Sequence, residues 1–446
     1  MGTPETYKPL DATNSITVSE PRIAQVLGAG DVETTLEQIL EMGIHPWSQP
    51  ALQMKAMMHM RKLRWKEAES ILAQLMKMHP DHLAWKMKGD CAYLQCRYKE
   101  AEECYSQAIS LNAAPEYVHD YGVALISQGD MERGIPQFRR ACGMQPNRAD
   151  FWHHLAIMLV LDGQLQEGWD LMKWRMKVPG VTSTFPRPEA YWEGQELTGK
   201  IITVRSEQGW GDTIQFARYI PELARRAKKV YFWCQRPMLE FLNAYYPMCE
   251  TTPNDAPPPL DFDYHVNLMC FPRLMGLDDY RTPPTLKTGG GNGIGINWFG
   301  SPTHKADHLR TVPIERFAPI AEAAGQNLKC LGYGRFDNKP PYIDYYIDDC
   351  KDWKETADKV KALDLVITVD TAIAHLAGFM GVECWLLLPK VCDFRWGMTG
   401  ERTPWYESIR IYRQPDLFDW DSVFKRVEND LRARVSAREI RASASS

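Results

Sequence analysis

IITVRSEQGWGDTIQFARYIPEL, Ile201 to Leu223, joins a short apolar run to a helical pattern through two glycines and a carboxylate. Ile201 to Val204 has the β-branched, apolar character of a buried strand. The residues from Asp212 onward read as a helix. A bare connection needs neither Gly209 and Gly211 nor Asp212. Glycines let a backbone turn tightly and approach a ligand closely. An aspartate opening a helix either caps it or is available for chemistry.

The pattern repeats downstream. KKVYFWC is a strand, RPMLEFLNAYY a helix and DYHVNLM a strand. After LKTGGGNG, Leu286 to Gly293, it starts over with the strand GIGINWF, the helix PIERFAPIAEAAG and the strand NLKCLGY. The helix KETADKVKAL, the strand DLVITVD, the helix TAIAHLAGFMG and the strand VECWLLLP follow. Alternating β and α units imply parallel sheets covered by helices on both faces. Two Rossmann-like domains facing a cleft are expected, over 201–288 and 289–436, with a polar, flexible tail at 437–446. The glycine run precedes a strand and carries no G-K-[ST], so it reads as an interdomain hinge near Gly289 to Gly293 and not as a phosphate loop.

Upstream, WKEAESILAQLMKMHPD, YKEAEECYSQAISLNAA, MERGIPQFRRACGMQPN and LQEGWDLMKWRMKV are variants of one segment. Ala68, Ala101, Gly134 and Gly168 stand 33, 33 and 34 apart; Gly89, Gly122 and Ala156 stand 33 and 34 apart. Small residues at that period suit helix pairs that cross closely, with Trp85, Tyr105, Phe138 and Leu155 filling the gaps. The period and residue types resemble the tetratricopeptide (TPR) repeat. The repeats are expected over 33–177, after an N-terminal segment 1–32 and before an ordered connector 178–200. Such stacks expose a groove for protein segments; bracing the rest of the chain or dimerisation is the alternative.

Composition narrows the classes. The 446 residues are 44% hydrophobic and 24% charged, with a net charge of -5. There is no global basic field, so nucleic acid is possible but not indicated. No run approaches the roughly 18 apolar residues of a membrane span, and the first residues lack a signal peptide's pattern. Eleven cysteines without a C-x-x-C pair read as reduced thiols, which suits a cytoplasmic protein.

Three further stretches concentrate reactive groups. VITVDTAIAHLAG, Val366 to Gly378, ends a strand at Asp370 and starts a helix at Thr371. The free N–H groups of Thr371 and Ala372 and the helix dipole suit a diphosphate, with His375 one turn on as a further donor. Otherwise Asp370 only caps the helix and His375 is core. NWFGSPTHKADHLRTVP, Asn297 to Pro313, carries His304, Lys305 and Arg310 at a sheet's carboxyl edge, where Lys305 and Arg310 suit phosphate charge. His304, Asp307 and His308 in one loop, without a distant partner, are too little for a metal site. DFRWGMTGERTPWYESIRIYRQ, Asp393 to Gln414, is dense in Trp, Tyr and Arg.

The order EQGWGDTIQFARY, INWFGSPTHKADHLRTVP, DTAIAHLAG, FRW and PWY resembles TPR-containing bacterial or phage glycosyltransferases. The catalytic half is similar to the ADP-heptose:lipopolysaccharide heptosyltransferases, glycosyltransferase family 9, of GT-B fold. In overall plan the chain also resembles O-GlcNAc transferases. The resemblance covers about Trp65 to Gln414. It implies an α plus α/β architecture and an inverting, metal-independent enzyme. A nucleotide sugar would be its substrate, with no cofactor. Asp212 becomes the candidate base, with Glu207 second and His304 third; helix capping by Asp212 remains the alternative. Gly209 and Gly211 shape the loop. Gln208, Trp210, Arg218, Arg395 and Trp396 become acceptor-side candidates. Lys305, Arg310, Asp370, Thr371, Ala372 and His375 fall to the donor. Arg310-Thr311 replaces the family's Arg-Ser, and Phe299 stands where a small residue is usual. The acceptor is expected to be a protein recruited by the repeats; DNA bases or a saccharide lipid are alternatives, as is a scaffold that binds nucleotide sugar without turnover.

Overall fold

The computed structural model describes residues 47–180, 187–276, 291, 293–301, 307–333 and 339–444. The chain divides into two compact units, Met1–Met158 and Leu159–Ser446.

The first unit is a run of antiparallel helices. They are α1 (Gln49–Arg61), α2 (Trp65–Met78), α3 (His82–Leu94), α4 (Tyr98–Leu111), α5 (Pro115–Ser127), α6 (Met131–Met144) and α7 (Ala149–Leu161), whose last turn enters the second unit. Several helix starts have a chemical cause. Asp81 accepts the Ala84 N–H at 2.9 Å, Asp130 accepts the Arg133 N–H at 3.0 Å, and Pro115 opens α5. The 33-residue glycine series follows from close packing: a Cβ on Gly89 would lie 2.6 Å from the Tyr105 ring. Tyr105, Phe138 and Leu155 are buried as expected, whereas Trp85 is only half-buried and lies beneath the Lys88 ammonium. Lys86, between Asp90 (2.7 Å) and Asp120 (3.3 Å), ties α3 to α5.

The second unit opens with α8 (Leu165–Leu171) and a 3-10 turn to Lys177. This segment, read above with the repeats, brings Trp169 and Arg175 into the second unit's core. A first sheet holds β1 (Ile201–Arg205), β2 (Lys229–Cys234), β3 (Glu250–Pro253) and β4 (Tyr264–Asn267), in the order β3-β2-β1-β4. Between and after them lie α9 (Trp210–Phe216), α10 (Ile220–Arg226), α11 (Leu239–Tyr245) and α12 (Phe271–Met275).

A second sheet holds β5 (Ile294–Asn297), β6 (Leu328–Cys330), β7 (Ile343–Tyr345), β8 (Leu365–Val369), β9 (Cys384–Leu388) and β10 (Ile409–Arg413). Its order is β10-β9-β8-β5-β6-β7, and all of its ladders are parallel. This is the doubly wound order in which the chain reverses direction beside the first strand. β8 and β9 are buried along their whole length, as their unbroken apolar sequences require of central parallel strands. The helices are α13 (Asp307–Arg310), α14 (Ala318–Ala324), α15 (Trp353–Lys361), α16 (Ala372–Phe379) and α17 (Trp420–Ala444). α17 packs on α14 and continues to Ala444, through residues read above as a tail. Ala, Arg and Glu are good helix formers, and they carry the helix on.

Candidate functional site

Each sheet has a point where neighbouring strands lead their connections to opposite faces. In the first it lies between β1 and β4, in the second between β5 and β8. Ligands of open α/β sheets bind at the carboxyl ends of strands at such points. The loop after β1 leads into α9, and the loop after β8 leads into α16.

The two helix starts meet. A Cβ on Gly211 would lie 2.8 Å from His375 Cδ2 and 3.4 Å from the Ala372 Cα. A side chain there would wedge α9 away from α16, so this position needs glycine for close approach. Gln208 is left-handed, with φ 60°, and its carbonyl accepts from Gln235 Nε2 at 3.2 Å.

Asp212 is the third residue of α9, not its N-cap; Gly209 holds that position. The carboxylate reaches back, its Oδ2 accepting the Gly209 N–H at 2.9 Å. Its other oxygen, Oδ1, accepts from Arg395 Nη2. Arg395 also donates to Asp393 through Nη1 at 2.7 Å. Burial raises the Asp212 pKa above the usual carboxylate range, against the Arg395 guanidinium, which lowers it.

Glu207 lies deeper. Arg175 donates to its Oε1 from Nε at 2.9 Å and from Nη2 at 2.6 Å. Burial again raises this carboxyl, opposed first by Arg175. This commitment to a buried ion pair counts against the second-choice base. Arg218, read as an acceptor-side residue, instead braces the two halves of the unit. It donates to the Gln215 carbonyl at 2.6 Å and the Trp405 carbonyl at 3.0 Å, and lies over the Tyr406 ring.

On the opposite side, Thr371 is the N-cap of α16, which begins at Ala372 and not at Thr371 as the sequence suggested. Asn297 at the end of β5 donates to Thr371 Oγ1 at 3.0 Å and so links the two strands at the switch point. Arg310 donates to the Asp370 carbonyl at 2.6 Å and to Asp307 at 3.0 Å. The Asp370 carboxyl is pushed up to about 6, by burial first and by the Asp393 carboxylate second. His375 is buried, with the Trp396 ring stacked on it at 5.0 Å and its Nδ1 3.0 Å from the Tyr406 hydroxyl. Burial, then the Arg395 and Arg218 charges, hold its pKa well below the usual histidine value, so the ring is neutral. Trp210 is exposed and meets Trp353 edge-on.

The structure therefore brings together Gly209, Gly211, Asp212, Asp370, Thr371, Ala372, His375, Arg310, Arg395 and Trp396. His304 and Lys305 lie outside the described residues. Among the described residues, no cluster of three or more His, Cys, Asp or Glu side chains is arranged to hold a metal ion. Sequence reasoning missed Arg175, Asn297, Asp393 and Tyr406. Asn297 was recoverable only from strand order, and Arg175 sat in a segment that looked like a repeat. In the first unit, a groove of about 360 Å³ is lined by Leu72, Ala73, Met76 and Cys91 and rimmed by charged side chains.

Residues 82–114 match the tetratricopeptide repeat family. Protein FlbA of Caulobacter vibrioides is 24% identical over 376 residues, which is 72% of this chain and 63% of FlbA. The chain thus spans less than two thirds of that curated relative. Among solved structures, a mutant O-GlcNAc transferase of Thermobaculum terrenum is 14% identical. It covers 87% of this chain and 93% of its own, at a TM-score of 0.32. PilF of Pseudomonas aeruginosa is 17% identical over 34% of this chain and 73% of its own, at a TM-score of 0.31. No helix among the described residues is long and apolar enough to cross a membrane.

Proposed function

We propose that this chain is an inverting, metal-independent GT-B glycosyltransferase related to the heptosyltransferase family. It moves a sugar from a nucleotide donor to a macromolecular acceptor, a protein engaged by the repeats. The observation that carries this reading is the meeting of two switch-point loops at Gly211: an acidic turn after β1 faces a helix start after β8. The first supplies a base and the second an anion site.

In the proposed reaction Asp212 accepts the proton of the acceptor hydroxyl. The hydroxyl oxygen attacks the anomeric carbon from the face opposite the diphosphate. The bond from that carbon to the diphosphate oxygen breaks, and its electron pair leaves with the nucleoside diphosphate. The N–H groups of α16 and the Arg310 charge stabilise the departing anion; Lys305 is assigned the same task from its sequence position. His375 is neutral, so it serves as a single N–H donor and not as a cation.

One observation favours a second reading, a nucleotide-sugar-binding scaffold without turnover: Asp212 is already engaged by Arg395. The two readings separate in one experiment. The protein is screened by thermal shift against UDP-, GDP-, ADP-, CMP- and dTDP-sugars without metal, and the stabilising donor is then incubated with acceptor fractions. Asp212→Asn is expected to keep the shift and lose transfer. A shift without transfer by the wild type supports the scaffold. Absence of a shift with every nucleotide sugar overturns both.

A further inference from the structure

Tyr406 is buried, 1% exposed, and the proposed reaction gives it no task. Its ring lies against α16: a Cβ on Gly378, three residues past His375, would fall 2.4 Å from it. Glycine is what leaves room for a ring there. From that seat the hydroxyl reaches back one turn of the helix and meets His375 Nδ1 at 3.0 Å. Arg218 meets the same hydroxyl. Its guanidinium lies 4.8 Å from the ring centroid and hydrogen-bonds the phenol oxygen. Arg218 is itself fixed, by the Gln215 carbonyl at 2.6 Å and the Trp405 carbonyl at 3.0 Å.

The direction of each bond follows from what each group can do. A guanidinium only donates, so the Tyr406 oxygen accepts from Arg218. The Tyr406 proton then needs an acceptor, because a buried O–H left unpaired is costly. Among the described residues His375 Nδ1 is the acceptor within reach. The imidazole is neutral and so carries a single N–H. With Nδ1 accepting, that proton is on Nε2. The Cδ2–Nε2 edge of the ring faces Gly211: a Cβ there would lie 2.8 Å from Cδ2 and 3.5 Å from Nε2. Nε2 therefore looks into the seam where the start of α9 meets the start of α16, and it has no hydrogen-bond partner among the described residues. A chain of hydrogen bonds that starts on a cation polarises each member after it. Nε2–H is then a stronger donor than that of an isolated neutral imidazole.

We propose that Tyr406, held by Arg218, is a positioning residue: it fixes the Nε2–H tautomer and the ring direction of His375, so that one polarised N–H is presented to the donor diphosphate at the seam. The diphosphate's part rests on the donor-binding reading above; the tautomer does not.

The test uses the full chain carrying isotope-labelled histidine. The ring nitrogens of His375 are assigned by comparing nitrogen NMR spectra with those of His375→Ala. Wild type is expected to show a protonated Nε2 and a bare, hydrogen-bonded Nδ1. A proton on Nδ1, or on both nitrogens, overturns the proposal. In Tyr406→Phe, which keeps the ring on Gly378, the Nδ1 signal should move downfield as its hydrogen bond is lost; an unmoved signal is equally fatal. Titration calorimetry then separates positioning from packing, with the tightest binder among inorganic pyrophosphate, UDP, ADP and GDP. Tyr406→Phe should weaken it about 2- to 10-fold. In the His375→Ala background the same change should alter affinity by less than about 1.5-fold, because a residue that acts through His375 has nothing left to act on. Equal losses in both backgrounds, or wild-type affinity in Tyr406→Phe, overturn the positioning role while donor binding stands. If wild type binds none of the four, the donor reading fails and the diphosphate's part fails with it, while the spectra still decide the tautomer.

Discussion

Replacing Arg175 with methionine tests whether the loop carrying Asp212 is held by a buried charge pair. The side chains of Arg175 and Glu207 are 1% and 4% exposed. Arg175 places two donors on Glu207 Oε1, one on the Met172 carbonyl at 3.0 Å and one on the Cys270 sulfur at 3.1 Å. Glu207 Oε2 is buried without a hydrogen-bond partner among the described residues. Arg175→Met therefore leaves a buried carboxylate without its ion-pair partner, with only the weaker influence of the Arg205 charge, a loss of about 3–5 kcal/mol. Glu207→Gln keeps a neutral acceptor for Arg175 but strands its buried guanidinium, so it should also cost about 3–5 kcal/mol. In the double variant neither charge is stranded, so it should be more stable than Arg175→Met alone. Calorimetric melts of the three variants give the cycle. The pH dependence supplies a second reading. The Glu207 pKa is already raised by burial, and losing Arg175 raises it further. A raised carboxyl contributes stability below its unfolded pKa and loses it as pH rises through the folded value. The penalty of Arg175→Met should thus shrink on acidification from neutral pH. An Arg175→Met cost below about 1 kcal/mol, or a double variant as unstable as the sum of the singles, refutes this account.

Three further outcomes follow from the site. Gly211→Ala drives a methyl to 2.8 Å from His375; melts should show a loss of about 1–3 kcal/mol, and a variant as stable and active as wild type would mean the helix starts do not need this contact. Asp370 is pushed up to about 6 from an ordinary 3.8, so its contribution to stability is full below about 3.8 and lost as pH rises through about 6. Asp370→Asn should flatten that part of the stability profile, measured by urea midpoints across pH, and an unchanged slope would show that the carboxyl does not titrate there. Arg395→Met removes the foremost group lowering the Asp212 pKa, so the acid limb of the transfer rate should move to higher pH. A limb that stays in place would separate Asp212 from the rate-determining ionisation.

Much of the fold is local and therefore legible. The 33-residue spacing of Gly89 and Gly122 reflects contacts between successive helices, such as Gly89 against Tyr105. The alternation of β and α units reflects burial of each strand. Strand order is a different matter. β5 pairs with β8 across about 70 residues, and no property of Asn297 alone announces that it will bond Thr371 on the far side of the switch. The same holds for charge. Asp212 stands out in its glycine loop, yet its partner Arg395 lies 183 residues away. Arg175 is closer to Glu207 in sequence, but its neighbours carry the repeat pattern that hid it.

The sequence posed a conflict, since capping a helix and taking a proton looked like competing duties for Asp212. The geometry divides the carboxylate instead. Oδ2 serves the Gly209 N–H, and Oδ1 serves Arg395. An ionised carboxylate has about four lone-pair sites, two on each oxygen. Each oxygen therefore keeps acceptor capacity after its present bond is counted. A hydroxyl hydrogen-bonded to the second lone pair of Oδ1 would not have to displace Arg395, and the cap at Oδ2 would fix the direction from which it is accepted. The opposing influences on the group fit that role: burial makes the carboxylate more basic than in water, while Arg395 keeps it from being protonated too readily. Capping and the proposed base chemistry are then compatible, since the bond that starts α9 would also aim the oxygen proposed to take the proton.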